Sequence, residues 1–377
     1  MSDLTQYFEN KKLGFGLMRL PQVPDKRKVD LDMLIKMVDA YMANGFRYFD
    51  TAYSYHFGKS ETMIAKALVE RYPRDAFCLA DKLPTWMVRS SEDYETLFSV
   101  QCKRCAVDFF DFYLLHNIDA EIYKMLEETG GFQFLQQLKA EGKARFIGFS
   151  YHDKAPLLDT ILTAHPEVEF VQIQLNYFDW ESSLIQSRAC LEVCNKHNVP
   201  VIVMEPVHGG GLANNLPVEA KTLFHALDAE ASPASFAMRF AGSQKGVMMV
   251  LSGMSDMAQL EDNMQTMGNF RPFTDEEYKT VAKITALLNG LGTIACTGCG
   301  YCLEDCPKEI LIPNLFAIYN QKRMFGEVNF PGMHYEINTQ SRGSATDCIG
   351  CGNCESHCPQ HLAVREYLKT VGSTFGY

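Results

Sequence analysis

The sequence predicts an α/β protein built as a (β/α)8 TIM barrel, followed by a smaller, mainly helical domain. Three observations predict this. Apolar strand patterns and amphipathic helix patterns alternate eight times between Leu13 and Met267. The strand patterns finish on polar groups, Asp50, Lys82, His116, Ser150, Asn176, Glu205 and Ser252. Eight of the thirteen cysteines lie at or beyond Cys296, in two runs of identical spacing.

The first strand is expected over Leu13 to Leu17. A helix follows, with Leu31, Leu34, Ile35, Val38, Tyr41 and Met42 on one face at helical spacing, Asp30 as N-cap and Gly45 as stop. Arg47 to Phe49 is the second strand, and a helix from Ser60 or Glu61 to Tyr72 ends at Pro73. Phe77 to Ala80 is the third strand, then a helix over Glu92 to Cys105. Phe112 to Leu115 is the fourth, then a helix over Phe132 to Glu141. Ala144 to Phe149 is the fifth, with its helix before His165-Pro166. Phe170 to Leu175 is the sixth, followed by a helix over Ser183 to His197. Val201 to Met204 is the seventh, with a helix over Pro233 to Phe240. Gly246 to Leu251 is the eighth, with a helix over Met257 to Met267. Eight units in this span match the roughly 250 residues of a (β/α)8 barrel, whose active site lies at the C-terminal strand ends. No Gly-x-Gly-x-x-Gly turn follows the first strand, which weighs against a doubly wound sheet. A further helix is expected over Asp275 to Leu288. Asn289-Gly-Leu-Gly292 then marks the boundary between a barrel domain, residues 1–290, and a second domain, residues 291–377.

Composition sets limits. A chain of 377 residues, 47% hydrophobic and 21% charged, has ample material for a large core. A formal net charge of −11 argues against nucleic acid or an anionic membrane as partner. No apolar run reaches the ~18 residues of a membrane span. The polar start, Met1-Ser-Asp-Leu-Thr-Gln, lacks a signal-peptide pattern, so a cytoplasmic location is expected. Cysteines there are read as metal ligands or free thiols before disulfides.

Tyr55, Lys82, Asp50 and His116 form a complete proton-transfer set. An ammonium beside a phenol lowers its pKa from about 10. Asp50 would hold Lys82 charged and in place, and His116 can hydrogen-bond and orient a carbonyl oxygen. Such a set suits a small-molecule carbonyl or alcohol substrate.

The motifs carrying these residues are Gly45-Phe-Arg-Tyr-Phe-Asp-Thr-Ala-x-x-Tyr55, Gly58-x-Ser60-Glu61, Leu114-Leu-His116 and Gly142-Lys-Ala-Arg-x-Ile-Gly-x-Ser150. From about residue 12 to 270 the chain resembles the aldo-keto reductase superfamily. The resemblance implies the same catalytic roles for Asp50, Tyr55, Lys82 and His116, and an extended nicotinamide cofactor across the barrel mouth. It puts Ser150, Gln172 and Asn176 near the nicotinamide amide and the loop after the seventh strand around the pyrophosphate. That loop contains Gly209, Gly210 and Gly211, whose backbone N–H groups suit a phosphate. Where the family often stacks an aromatic ring on the nicotinamide, this chain has Met204. The 2′-phosphate grip of the family corresponds to Ser252 through Asn263, which has no Lys or Arg but includes Asp256, Glu261 and Asp262. NADH is therefore favoured over NADPH, the helix start after Ser255 remains available to a pyrophosphate or ribose, and a flavin such as FMN is an alternative occupant. His56 stands where the family often has Gly.

The tail resembles a bacterial-type two-cluster ferredoxin. Cys296-x-x-Cys299-x-x-Cys302-x-x-x-Cys306-Pro307 and Cys348-x-x-Cys351-x-x-Cys354-x-x-x-Cys358-Pro359 are complete runs. In such proteins the fourth cysteine of each run ligates the other 4Fe-4S cluster. One cluster is thus expected on Cys296, Cys299, Cys302 and Cys358, the other on Cys348, Cys351, Cys354 and Cys306. Paired zinc sites would use two Cys-x-x-Cys pairs and fit these runs poorly. Gly298, Gly300, Gly350 and Gly352 leave room for N–H···S bonds. The long insert, with Ile310 to Tyr319 apolar and helical, resembles helical ferredoxin modules.

The sequence leaves rival roles open. The clusters serve electron transfer, to a redox partner protein or through a flavin, or they are structural and build an oligomer interface. Cys78, Cys102, Cys105, Cys190 and Cys194 read as buried thiols. His152, His165, His197 and His357 have no partner legible in the sequence, and His208 neighbours the glycine loop. Tyr53, Trp86, Phe178 and Trp180 line a substrate pocket or close the barrel mouth.

Overall fold

The computed structural model describes residues 11–24, 28–183, 185–294, 296, 298, 300, 302–303, 306–356, 358 and 360–376. Eight strands close into a barrel: β1 Leu13–Gly16, β2 Tyr48–Asp50, β3 Cys78–Leu83, β4 Phe110–Ile118, β5 Ala144–Tyr151, β6 Phe170–Gln174, β7 Val201–Met204 and β8 Val247–Gly253. All neighbours are parallel, and β1 pairs with both β2 and β8. Sequential order around the ring follows from repeated crossovers of one hand. Tyr48, Cys78, Ala80, Phe112, Leu114, Phe170, Ile202, Met249 and Leu251 fill the interior. Each fully buried side chain of this size contributes about 1.5–3 kcal/mol.

Five strands run past their expected ends, β2 to Asp50, β5 to Tyr151, β8 to Gly253 and, with most consequence for the site, β3 and β4. β3 continues to Leu83 and β4 to Ile118, so Lys82 and His116 lie within strands, with Lys82 paired in register with Leu114. Hydropathy ends a strand at its first charged residue. The backbone ladder does not, provided the charge finds a partner.

The helices follow the same logic. In α1, Leu31–Ala43, Leu34, Met37, Val38 and Tyr41 are buried, and Asp30 accepts the Met33 N–H as expected. The helix expected from Ser60 to Tyr72 is α2, Ser60–Ile64, continued by a π-helical turn over Ala65–Val69. Then come α3 Glu92–Cys105, α4 Ala120–Thr129, α5 Gly131–Ala140, α6 Ala155–Ala164, α7 Ser187–Lys196, α8 Val218–Leu227, α9 Pro233–Gly242 and α10 Met257–Gly268. The periodicity missed α4 and α8. α4 fully buries only Leu126, and α8 only Ala220 and Phe224, although Ile122, Tyr123 and Leu126 in α4 and Ala220, Leu223, Phe224 and Leu227 in α8 stand at helical spacing.

The chain forms two compact units. One contains the barrel and includes Ile185–Pro206 and Ser235–Phe273; the other takes Val207–Ala234 and the chain from Thr274. The second unit contributes α11 Asp275–Asn289, α12 Ile312–Phe325, α13 Pro331–Thr339, α14 Asn353–Ser356 and α15 Val364–Phe375, and no strand among its described residues. Thr274 and Glu277 cap α11 reciprocally. Ile312, Leu315, Phe316, Tyr335, Leu368 and Val371 belong to its core, against which Cys296, Cys302, Cys306 and Cys348 pack. No helix among the described residues is long and apolar enough to cross a membrane.

Candidate active site and cysteine centre

Asp50 is the last residue of β2, Lys82 sits near the end of β3, and Tyr55 follows in the loop after β2. Lys82 Nζ donates to Asp50 Oδ1 at 2.5 Å, to Thr51 O at 2.8 Å and to Tyr55 Oη at 3.3 Å. All three ammonium protons are engaged. Asp50 Oδ2 accepts from Gln172 Nε2 at 3.2 Å. Burial alone pulls the Lys82 pKa down, but Asp50 and Tyr55 outweigh it and hold the ammonium charged, with its pKa raised. Burial raises the Asp50 carboxyl, against the pull of Lys82 and Gln172.

Lys82 lowers the Tyr55 pKa as expected, but it does not set the net direction. Burial raises it more than Lys82 lowers it, and the nearby carboxylates of Asp50 and Glu205 add to the rise. The net direction is upward, so Tyr55 stays a neutral phenol with a proton to give.

The His116 ring meets Tyr55 edge-on at 6.1 Å between centroids and lies 5.2 Å from Trp86. Its Nδ1 is buried with no hydrogen-bond partner among the described residues. Burial, then the charges of Lys82 and His152, hold its pKa well below the usual histidine value, so the imidazole is neutral. His152 is near enough to act on His116 electrostatically. It keeps exposed surface, yet the protein around it and then Lys82 bring its pKa to about 4. His165 bonds Glu127 and Glu167 and stacks on Phe132 at 3.6 Å, and His197 bonds Asp159. His357 lies outside the described residues.

The Tyr55 loop is held in an unusual shape. His56, Phe57 and Gly58 are successively left-handed, with φ of 51°, 57° and 80°. His56 Nε2 accepts the Leu20 N–H at 2.8 Å, which ties the loop to the segment after β1. Thr51 and Ser60 hydroxyls bond at 2.8 Å, and Ser60 Oγ donates to Leu17 O. Beneath the loop lies a buried network of which the sequence disclosed only Glu61, within its motif. Glu61 accepts from Arg104 at 2.9 Å and from Gln101 at 3.2 Å; Gln101 also donates to Lys82 O and accepts from Tyr113 Oη. Arg104 lies 4.3 Å over the Tyr53 ring. Asp81 adjoins Glu61, and burial raises both carboxyls.

The expected cofactor residues are distributed as follows. Ser150 Oγ accepts the Asn117 N–H at 2.8 Å, which leaves its own proton to donate. Gln172 Oε1 makes no hydrogen bond among the described residues. Asn176 donates to Asp179 Oδ2 and Glu205 O, and accepts from the Phe178 and Asp179 N–H groups, so all four bonds are made within the chain. Met204 closes β7, followed by Glu205 at φ 57°. Ser252 Oγ accepts from Asn263 Nδ2 at 2.9 Å. At the start of α10, Asp256 accepts the Gln259 N–H and Gln259 Oε1 accepts the Ser255 N–H, so these N–H groups, expected to be open to a phosphate, are bound within the chain. Arg19, distant in sequence, comes within 3.2 Å of the Cβ position at Gly253.

Gly209, Gly210 and Gly211 fall in the second unit. Gly209 and Gly210 are left-handed, at φ 63° and 99°, and a Cβ on Gly209 would collide with the Asn329 side chain. His208 packs on Phe325 at 5.1 Å. Close packing within this unit therefore requires Gly209 and Gly211, against Asn329 and Phe325, and the left-handed backbone requires Gly210.

In the same unit, Cys296, Cys302 and Cys358 line one small apolar cavity, together with Ile312, Pro313, Phe316, Gln360, Leu362 and Val364. Cys299 lies outside the described residues. The Gly298 N–H donates to Cys296 Sγ at 3.5 Å and the Ile310 N–H to Cys306 Sγ at 3.4 Å. Cys348, Cys351 and Cys354 lie close enough to act on one another electrostatically. Thiol donors converging from both runs around an apolar space, with N–H groups aimed at sulfur, fit iron–sulfur clusters. The other thiols differ: Cys78, Cys105, Cys190 and Cys194 are buried as expected, Cys102 is only half-buried, and burial pushes Cys102 and Cys190 up to about 12, where they are inert.

Comparison with known proteins agrees with this geometry. The family model of the aldo/keto reductase family matches residues 12–286, and that of the 4Fe-4S dicluster domain matches residues 295–363. A probable aldo-keto reductase 1 of Glycine max is 27% identical over 234 residues, covering 59% of this chain and 64% of that protein. The ketoisovalerate oxidoreductase subunit VorC of Methanothermobacter marburgensis is 28% identical over 79 residues, covering 21% of this chain and 80% of that protein. The crystal structure of an aldo-keto reductase from Klebsiella pneumoniae in complex with NADPH shares the fold, with a TM-score of 0.59, 21% identity and coverage of 73% of this chain and 90% of that one. The chain belongs to the aldo/keto reductase family and carries a C-terminal 4Fe-4S dicluster domain.

Proposed function

We propose that the protein interconverts a small-molecule carbonyl and its alcohol, with Tyr55, Lys82, Asp50 and His116 as the working set. The observation that carries this reading is the chain Asp50–Lys82–Tyr55, at 2.5 and 3.3 Å, sealed around a charged ammonium. A bound nicotinamide supplies or receives the hydride. Tyr55 gives its proton to the carbonyl oxygen. Lys82 steadies the phenolate that remains, Asp50 fixes Lys82, and neutral His116 hydrogen-bonds the same oxygen and orients it. The hydroxyl of Ser150 and the Oε1 of Gln172 suit the carboxamide, whereas Asn176 supports the loop. The test is steady-state turnover of a carbonyl panel with each nicotinamide under anaerobic conditions, on the parent chain and on Tyr55→Phe.

The Klebsiella relative binds NADPH. In this chain the segment from Ser252 to Asn263 has three carboxylates and no cation, and Asp256 caps its helix, so NADH is the favoured form. The aliphatic stem of Arg19 packs at Gly253, which makes its guanidinium the cation to test near this segment.

The eight cysteines from Cys296 to Cys358 would hold two 4Fe-4S clusters in crossed sets, the reading favoured by Cys358 sharing a cavity with Cys296 and Cys302. Clusters exchange one electron at a time, which suits a redox partner protein, and the likeness to an oxidoreductase subunit favours that reading over a purely structural one. The functional boundary falls near Gly290, between the two family matches.

A further inference from the structure

The second unit sets a charged pair against one of its two cysteine sets. Arg365, second residue of α15, donates from Nε to Glu355 Oε2 at 3.0 Å and pairs with it through Nη2 at 2.8 Å. The Arg365 backbone N–H donates to Glu355 Oε1 at 2.9 Å, and Nη1 donates to Gly350 O at 3.5 Å. A Cβ on Gly352 would lie 3.9 Å from Arg365 Cζ. Gly350 and Gly352 flank Cys351, and Glu355 follows Cys354. The guanidinium therefore lies over the loop carrying Cys348, Cys351 and Cys354, and the charges of Glu355, Cys354 and Cys348 act on it.

The other set has different surroundings. The side chains lining the cavity of Cys296, Cys302 and Cys358 include no charged residue among those described. Asp347, next to Cys348, is tied to Ser344 at 2.7 Å. Reduction adds negative charge to a centre already held by four thiolates. A nearby cation stabilises that charge and raises the potential, whereas an apolar shell disfavours it. The Arg365 side chain is 47% exposed, so salt screens its effect.

We infer that Arg365, positioned by Glu355, raises the potential of the centre formed by Cys306, Cys348, Cys351 and Cys354 above that of its companion, so that the first electron delivered to the protein resides there. The inference rests on the two-cluster reading above. The electron comes from an external one-electron donor, and each centre goes from the 2+ to the 1+ state with no bond made or broken.

The test is a redox titration of anaerobic full-length holoprotein with dithionite and mediators, followed by electron paramagnetic resonance. Iron is counted first, and fewer than two clusters per parent chain overturns the two-cluster reading itself. With both present, the expected result is two reduction steps, with Cys351→Ser altering the signal that appears first. Arg365→Gln moves the first step to lower potential and leaves the second in place. Arg365→Lys restores most of the shift, and Glu355→Gln moves the first step upward. The shifts grow at low ionic strength. Cys351→Ser altering only the later signal, or Arg365→Gln moving the second step or neither, overturns the inference.

Discussion

Lys82 Nζ lies 2.5 Å from Asp50 Oδ1 with both side chains shut off from solvent. A buried ion pair of this kind is weak evidence of stabilisation by itself, but removing one partner strands the other. Lys82→Met leaves Asp50 buried without its cation and is expected to destabilise the protein by about 3–5 kcal/mol. The double variant Asp50→Asn/Lys82→Met should recover much of that loss. Urea unfolding of anaerobic protein measures both, and additive losses in the double variant would count against a coupled pair.

Tyr55→Phe removes the proton donor and keeps the ring. Turnover should fall by roughly 10²- to 10⁴-fold, while nicotinamide binding, read by fluorescence, stays near that of the parent. Turnover within a few-fold of the parent would exclude Tyr55 as the donor.

The pH profile follows from the direction of the Tyr55 shift. Carbonyl reduction needs the phenol protonated, and burial holds its pKa above the ordinary value of about 10. Reduction rates should show no basic limb attributable to Tyr55 below about pH 10 and fall above it as the proton is lost. Glu205 is one of the charges that raise this pKa. Glu205→Gln should therefore shift the basic limb to lower pH; an upward shift would contradict the electrostatic account.

Two four-iron clusters predict about eight irons per chain. Cys358→Ser should perturb the cluster on Cys296, Cys299 and Cys302 and spare the signal of the Cys348 set. Loss of the Cys348 signal instead would reject crossed ligation, and stoichiometric zinc without iron would reject clusters.

NADH should bind more tightly than NADPH, because a 2′-phosphate carries about two negative charges and meets Asp256, Glu261 and Asp262 in the segment that would receive it. Titration of both into anaerobic protein settles the order. Tighter NADPH binding that is lost in Arg19→Ala would instead identify Arg19 as the phosphate partner.

The sequence by itself determined the barrel, the catalytic candidates and the cluster cysteines. Strand and helix periods follow directly from which side chains must leave water, and eight such units have few ways to close. Asp50, Lys82 and His116 stood at the predicted ends of successive strands with Tyr55 in the loop after the second, and the cysteine spacing named its own chemistry. Tertiary structure decided what depends on distances between remote residues. It set the net direction of the Tyr55 shift, because burial and the Lys82 charge oppose each other and only their geometry gives the balance. It put the Glu61–Gln101–Arg104 network beneath the Tyr55 loop and brought Arg19 to Gly253. It also assigned Gly209 to packing against Asn329 and drew Arg365 to the Cys351 loop. None of these contacts lies within one helix turn or one strand pair, so no local period records them.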